Sequence, residues 1–184
     1  MAQRARLSAD DWADAALAAI AEGGVPAVAV EPLAVRLGTT KGSFYWHFPN
    51  RDALVVAALA RWEHRYTTEV IDKMDREPDP VTRLHSLFST VIAVAERDRT
   101  EVALLASADH PAVAPVLARV TARRVDYTAD LFVQLGYSPQ EARLRGVLAF
   151  SAYLGYAQLL RAAPQVLPAD SDAYRRLVGR LLAG

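Results

Sequence analysis

The stretch PLAVRLGTTKGSFYWHFPN, Pro32 to Asn50, decides the fold. It reads as helix, turn, helix. Pro32 fits the first turn of a helix running to about Leu37, and Gly38 ends it. A very short helix then starts near Thr39 or Thr40 and is cut off at Pro49. Ala34, Gly38 and Phe44 fall at the spacing of a helix-turn-helix. The small residue lets the two helices cross closely, glycine tolerates the positive φ of a tight turn, and the large apolar residue plugs a three-helix core.

At about 100° per residue, Phe44 and Phe48 point inward together, while Gly42 and Trp46 lie on the far side with Ser43 and Tyr45 flanking. The outward side therefore offers a bare backbone, a hydroxyl and two amphipathic rings, with Lys41 at the helix start and His47 near its end. Such a helix suits a DNA major groove: glycine permits close approach, hydroxyl and amine groups meet phosphates and base edges, and rings contact sugars or thymine methyls. Two plainer readings stand beside it. An aromatic cluster before a proline also packs into cores. GTTKGS has the look of a phosphate loop, but it lacks the glycine-lysine spacing and no strand precedes it.

Outward from this segment nearly everything reads as helix. Ser8 suits an N-cap with Asp11 three residues on, and Leu7 and Trp12 form a hydrophobic staple. Gly23-Gly24 stops that first helix. Asn50 or Asp52 caps a longer fourth helix to about Arg76, and Pro78 and Pro80 break the chain. Further helices fit roughly residues 80–98, 100–108, 112–136, 140–162 and 170–183. The expected fold is all-α. Residues 1–50 form a helix-turn-helix unit, and residues 51–184 form a larger helical domain for ligand binding and dimerisation.

With 52% hydrophobic and 23% charged residues among 184, the chain has material for a sizeable core and is not a disordered segment. There is no cysteine, which excludes disulfides, thiolate catalysis and cysteine metal sites. The amino terminus lacks the apolar run of a signal peptide. The longest uncharged apolar run, Gly146 to Leu160, falls short of the roughly 18–20 residues that cross a bilayer. These features point to a cytoplasmic protein without a membrane partner. Lys and Arg number 21, as do Asp and Glu, so the net charge gives no nucleic-acid footprint. Locally, however, Arg36, Lys41, His47 and Arg51 occur between Pro32 and Arg51 with no acid among them.

LAVRLGTTKGSFYWHFPNRDAL, Leu33 to Leu54, resembles the DNA-binding signature of the TetR family of bacterial transcriptional regulators, and the likeness extends from Ser8 through Leu54. The resemblance implies DNA contacts at Thr39, Thr40, Lys41, Gly42, Ser43, Tyr45, Trp46, His47 and Arg51, with Arg51 meeting a phosphate at the start of the connecting helix. It also implies a homodimer on a palindromic operator, and the expected mechanism is repression relieved by a small molecule. One departure stands out. Many relatives carry Thr or Ser, often with a basic residue, where this chain reads Val30-Glu31-Pro32, and Glu31 would repel any phosphate it faced.

In the larger domain, GVLAFSAYLGYAQLL has two apolar faces, one through Gly146, Ala149, Phe150, Tyr153, Ala157 and Leu160, the other through Leu148, Ala152, Gly155 and Leu159. The second, rich in small residues, suits a partner subunit, joined by Leu177, Val178, Leu181 and Leu182 of the last helix. Burial of both faces within one subunit is the alternative. Trp62, Tyr66, Phe88, Tyr127, Phe132, Phe150 and Tyr153 are candidate walls of a ligand pocket, with His85, Ser107 and His110 as polar handles. Such a lining fits a neutral or weakly polar organic molecule. Arg123, Arg124, Asp126 and Asp130 read as a solvated helix face.

An enzyme is the rival class. His47, His64, His85 and His110 show no metal-ligand spacing, and no hydrolase or dinucleotide motif is present. The sequence points to no catalytic residue, metal or cofactor. A helical ligand-binding or adaptor protein that never touches DNA is the other alternative.

Overall fold

The structure is a computed structural model describing residues 7–183, with side chains throughout that range except at residue 171 and residues 181–183. Among the described residues the regular structure is helical. Helix α1 spans Ala9–Gly23. Its N-cap Ser8 closes a full capping box: the Asp11 N–H donates to Ser8 Oγ, and the Ser8 N–H donates to Asp11 Oδ2 at 2.7 Å. Gly24 ends it at φ +72°, a conformation open to glycine. A 3-10 turn, Val25–Ala27, leads to α2, Val30–Arg36, which starts two residues before Pro32 and so holds the proline in its first turn. Gly38 turns the chain at φ +64° into α3, Lys41–Phe44.

Asn50 caps α4, Arg51–Glu63, by accepting from the Ala53 N–H at 2.8 Å. Helix α4 does not run to Arg76 as one regular rod. It passes through a π-helical turn, His64–Thr68, into α5, Glu69–Met74. Then follow α6, Pro80–Arg97, and α7, Thr100–Leu105. The last three are α8, Ala114–Gln134; α9, Pro139–Ala162; and α10, Ser171–Ala183. Asp79 and Ser138 cap α6 and α9, each with proline in the first turn.

The core of the first three helices does not stop at residue 50. Trp12, Ile20, Leu33, Phe44 and Phe48 pack in one cluster with Leu54, Leu59 and Trp62 of α4, Leu104 of α7 and Leu117 and Val120 of α8. Phe44 is fully buried, edge-on to Trp12 at 5.4 Å and stacked on Phe48 at 5.7 Å. Burying such a ring contributes about 1.5–3 kcal/mol. The Trp12 Nε1–H is buried with no acceptor, so that core carries one unsatisfied donor. A second cluster joins Met74, Leu84, Phe88, Leu131, Phe132 and Ala149.

Polar links tie α1 to the α4 segment. Asp14 accepts from Arg61 at 2.6 and 2.7 Å and from Arg65, in the π turn, at 2.9 Å. Partial burial raises the pKa of Asp14, but the two guanidiniums outweigh it and hold its carboxyl below the usual range. Helices α8 and α9 cross closely because of Gly146, where a Cβ would lie 2.9 Å from Val125 O and 3.2 Å from Ala129 N.

Candidate nucleic-acid interface and ligand cavity

Helix α3 ends at Phe44, short of Pro49, and together with the turn that follows, residues 45–48, it presents a buried and an exposed side. Phe44 and Phe48 are buried, whereas Tyr45 is 57% and Trp46 82% exposed. Thr40, Lys41 and Gly42 are exposed, and Thr39, Ser43 and His47 are half-buried. Thr40 caps the turn by accepting from the Ser43 N–H at 3.4 Å, so its hydroxyl is engaged at the helix start. A Cβ at Gly42 would meet only Thr40 Oγ1, at 3.6 Å. The space above that glycine is open to an incoming surface.

Two basic residues of this face are already engaged. Lys41 Nζ lies 2.8 Å from Glu31 Oε1, and the pair raises the pKa of Lys41 and lowers that of Glu31 through their hydrogen bond and opposite charges. Glu31 therefore stands at the same surface as Lys41, paired with it and not facing solvent alone. Arg51 points inward: its Nε donates to Val28 O at 2.6 Å and its Nη2 to Val25 O at 2.7 Å. It thereby holds the turn between α1 and α2. Its Nη1 lies 3.6 Å from Asp52 Oδ1.

A cavity of about 70 Å³ lies between the π turn with α5, α6, α8 and α9. Of the residues expected there, Tyr66, Phe88, Phe150 and Tyr153 line it. Trp62 does not: it is 1% exposed and belongs to the first core. Tyr127 turns its hydroxyl away to Asp75 Oδ1 at 2.7 Å, and His85 borders a separate cleft against α10. Phe132 is sealed in the second core. Ser107 donates to the Ala103 carbonyl, and His110 Nδ1 accepts from the Ala112 N–H, so both serve the loop after α7.

The residue sequence reasoning missed is Arg124. Arg123, Asp126 and Asp130 are exposed, but Arg124 lines the cavity with its side chain only 14% exposed. It pairs with Glu101 Oε2 at 2.8 Å, itself 9% exposed. It also donates to Thr67 Oγ1 at 2.9 Å and to the Tyr66 carbonyl at 3.1 Å, and it stacks 5.1 Å from the Trp62 ring centroid. The Tyr153 hydroxyl donates to the same Glu101 oxygen at 3.4 Å, and burial followed by the Glu101 charge pushes its pKa up. The Tyr66 hydroxyl donates to Asp98 at 2.7 Å; burial, then that contact, raises its pKa to about 12. One guanidinium thus joins α8, α7, the π turn and α4. A signal for it existed: Val120, Arg124, Thr128 and Leu131 recur at helical spacing, and the other three are buried.

On α9, Gly146, Ala149, Tyr156 and Ala157 face the protein, whereas Leu144, Val147, Leu148 and Leu159 are exposed at 66, 47, 57 and 40%. Leu177 of α10 is also exposed, and Leu181 and Leu182 lie outside the described side chains. The described residues hold no His, Asp and Glu cluster fit for a metal ion, and no helix among them is long and apolar enough to cross a membrane.

Residues 13–58 match the family profile of bacterial regulatory proteins, tetR family. The chain is 33% identical over 88 residues to the HTH-type transcriptional repressor KstR of Rhodococcus jostii (strain RHA1). That match covers 46% of this chain and 39% of the repressor, so it spans well under half of that curated relative. A TetR transcriptional regulator from Legionella pneumophila superposes with a TM-score of 0.80 at 13% identity, over 98% of this chain and 99% of that one. The transcriptional regulator FadR of Bacillus subtilis, in complex with stearoyl-CoA, does so with a TM-score of 0.70 at 16% identity, over 95% and 97%. At these identities the likeness is one of fold.

Proposed function

From the match of residues 13–58 to the tetR family of bacterial regulatory proteins, we propose that the chain is a regulator of that family and represses transcription as a homodimer on a palindromic operator, which it leaves when a small molecule fills its cavity. The observation that carries the DNA-binding part is the division of α3 and the turn after it: Phe44 and Phe48 anchor them in the core, and Lys41, Gly42, Tyr45 and Trp46 stand in solvent. Gly42 lets the backbone approach the groove, Ser43 and Tyr45 read base edges, and Thr39, Thr40, Lys41, Trp46 and His47 meet backbone and sugars. Arg51 acts here by positioning, since its bonds to Val25 and Val28 set the angle between α1 and α2. The exposed apolar stripe of α9, with Leu177, is the surface a second copy covers. Two reading helices about 34–36 Å apart then meet successive grooves.

Release follows from where the cavity lies. Its wall includes Tyr66 and Thr67 of the π turn, on the same continuous helical segment as α4. A space of about 70 Å³ is far below the several hundred of a drug-sized pocket. A ligand larger than the cavity must push the π turn aside, and the Asp14 clamp on Arg61 and Arg65 passes that movement to α1. Coupling then equals the difference in ligand affinity between the two states. The apolar lining suits an acyl chain, the type of group that FadR holds as stearoyl-CoA. As a DNA-bound regulator it would act in the cytoplasm.

The test is selection of bound fragments from random DNA, then fluorescence anisotropy at two salt concentrations with and without stearoyl-CoA and shorter acyl thioesters. A palindromic site bound tightly, with affinity falling steeply as salt rises, is expected. Changes at Ser43 and Tyr45 should alter which sequences are preferred. Weak binding indifferent to sequence would refute the operator reading. A saturating ligand that leaves DNA affinity unchanged would refute the release mechanism.

A further inference from the structure

We propose that the cleft between α6 and α10 is an anion site, holding the carboxylate or phosphate of an amphipathic ligand whose apolar chain enters the cavity beside it. This rests on the cavity reading above and adds the chemistry of the ligand's head. The cleft, about 370 Å³, is lined by Arg175, Arg176, Arg180, His85 and Ser89, with Asp172 the acid among its lining residues. Phe88 forms part of its wall, part of the wall of the apolar cavity, and part of a narrow gap between α6, α9 and α10. A ligand lying along Phe88 would thus have its chain among apolar side chains and its head among guanidiniums.

The donors there are not all spent. Arg175 gives its Nη1 to Asp172 and its Nη2 to Glu96, both at 2.8 Å, but its Nε is buried with no acceptor. A buried N–H without a partner is a group that an anionic oxygen satisfies. Arg180 forms no hydrogen bond or ion pair among the described residues, and Arg176 has only a long contact to Asp170, 3.5 Å, at the exposed rim. Asp172, Glu96 and Asp170 offset much of the charge, so the site suits a single small anionic group better than a polyanion. Gly179 brings α10 against His85, where a Cβ would lie 3.2 Å from His85 Cδ2. That close crossing sets the imidazole beside Arg180 and the Ser89 hydroxyl in one concavity. Planar guanidinium forks are matched to carboxylate and phosphate oxygens.

The experiment is direct calorimetric titration of the full chain, without DNA, with decyl phosphate, decanoate, decanol and inorganic phosphate, each below its micelle concentration. Decyl phosphate and decanoate should bind at least tenfold more tightly than decanol, and inorganic phosphate much more weakly than decyl phosphate. The ratio between the two alkyl anions separates a phosphate head from a carboxylate head. Arg180→Gln should reduce the preference over decanol to threefold or less. The comparison among ligands needs no variant, so a poorly folding Arg180→Gln would not protect the proposal. Decanol binding as tightly as decyl phosphate would overturn the anion site and leave the cavity reading standing. Inorganic phosphate matching decyl phosphate would overturn the shared ligand, and failure of every alkyl probe would overturn both readings. Anion preference in calorimetry, with operator binding in a separate anisotropy titration unchanged by decyl phosphate, would support this site and sink the release mechanism.

Discussion

Replacing Arg124 by Met tests the link between the cavity and the DNA-binding helices. The Arg124 and Glu101 side chains are 14% and 9% exposed, so Arg124→Met strands a buried carboxylate whose other polar contact is the Tyr153 hydroxyl at 3.4 Å. Breaking a buried pair from one side costs about 3–5 kcal/mol. For a chain of this length each kcal/mol moves the melting temperature by about 2–4 °C, so a fall of roughly 6–20 °C is expected. Adding Glu101→Leu removes the stranded charge. Apolar replacement of a buried pair is often neutral, so the double variant should lie within about 2 kcal/mol of the wild type. The cycle is read by urea unfolding of the four proteins. The functional arm is DNA anisotropy. The double variant should still bind DNA, but the ligand should shift its affinity much less, because the Tyr66 carbonyl and Thr67 have lost their tie to α8. An Arg124→Met protein within about 1 kcal/mol of the wild type would refute the burial argument. A double variant as unstable as the two singles summed would refute the pairing. Full ligand response in the double variant would refute the coupling route.

Two further tests address the DNA face and the helix crossing. Glu31→Gln frees Lys41 from its 2.8 Å partner. DNA should then bind more tightly and with a steeper salt dependence, by up to about 0.9 in log–log slope for each phosphate gained, while Lys41→Ala should make it shallower. An unchanged slope in both variants would place Lys41 away from the phosphates. Gly146→Ala should destabilise the protein by up to about 2 kcal/mol in chemical unfolding, because overpacking against the Val125 and Ala129 backbones, about 1–3 kcal/mol, outweighs the helix-propensity gain of about 1 kcal/mol. At Gly155 nothing lies within 4 Å, so Gly155→Ala should retain only that gain within one subunit. Sedimentation of Gly155→Ala shows whether a second copy packs closely there, as a shift toward monomer. Equal stability of the two variants would count against the close crossing.

Much of the helical layout was legible because its signals are local. Ser8 with Asp11, Gly24, Asn50, Pro80 and Pro139 act through backbone groups within one turn, so helix starts, breaks and caps can be read in order. The burial of Phe44 and Phe48 beneath Tyr45 and Trp46 was equally legible, since helical periodicity alone separates the faces. Which groups meet across the fold was not. The Lys41 partner is 10 residues away, the carbonyls held by Arg51 are 23 and 26 away, and Glu101 is 23 from Arg124. No residue type marks the π turn at His64–Thr68 in advance. Charge alone made Arg124 a surface residue; packing of α8 against α7 and the π turn made it an interior one. Local hydrogen bonding and periodicity are written along the chain, whereas desolvation and long-range pairing exist only once the helices have closed on one another.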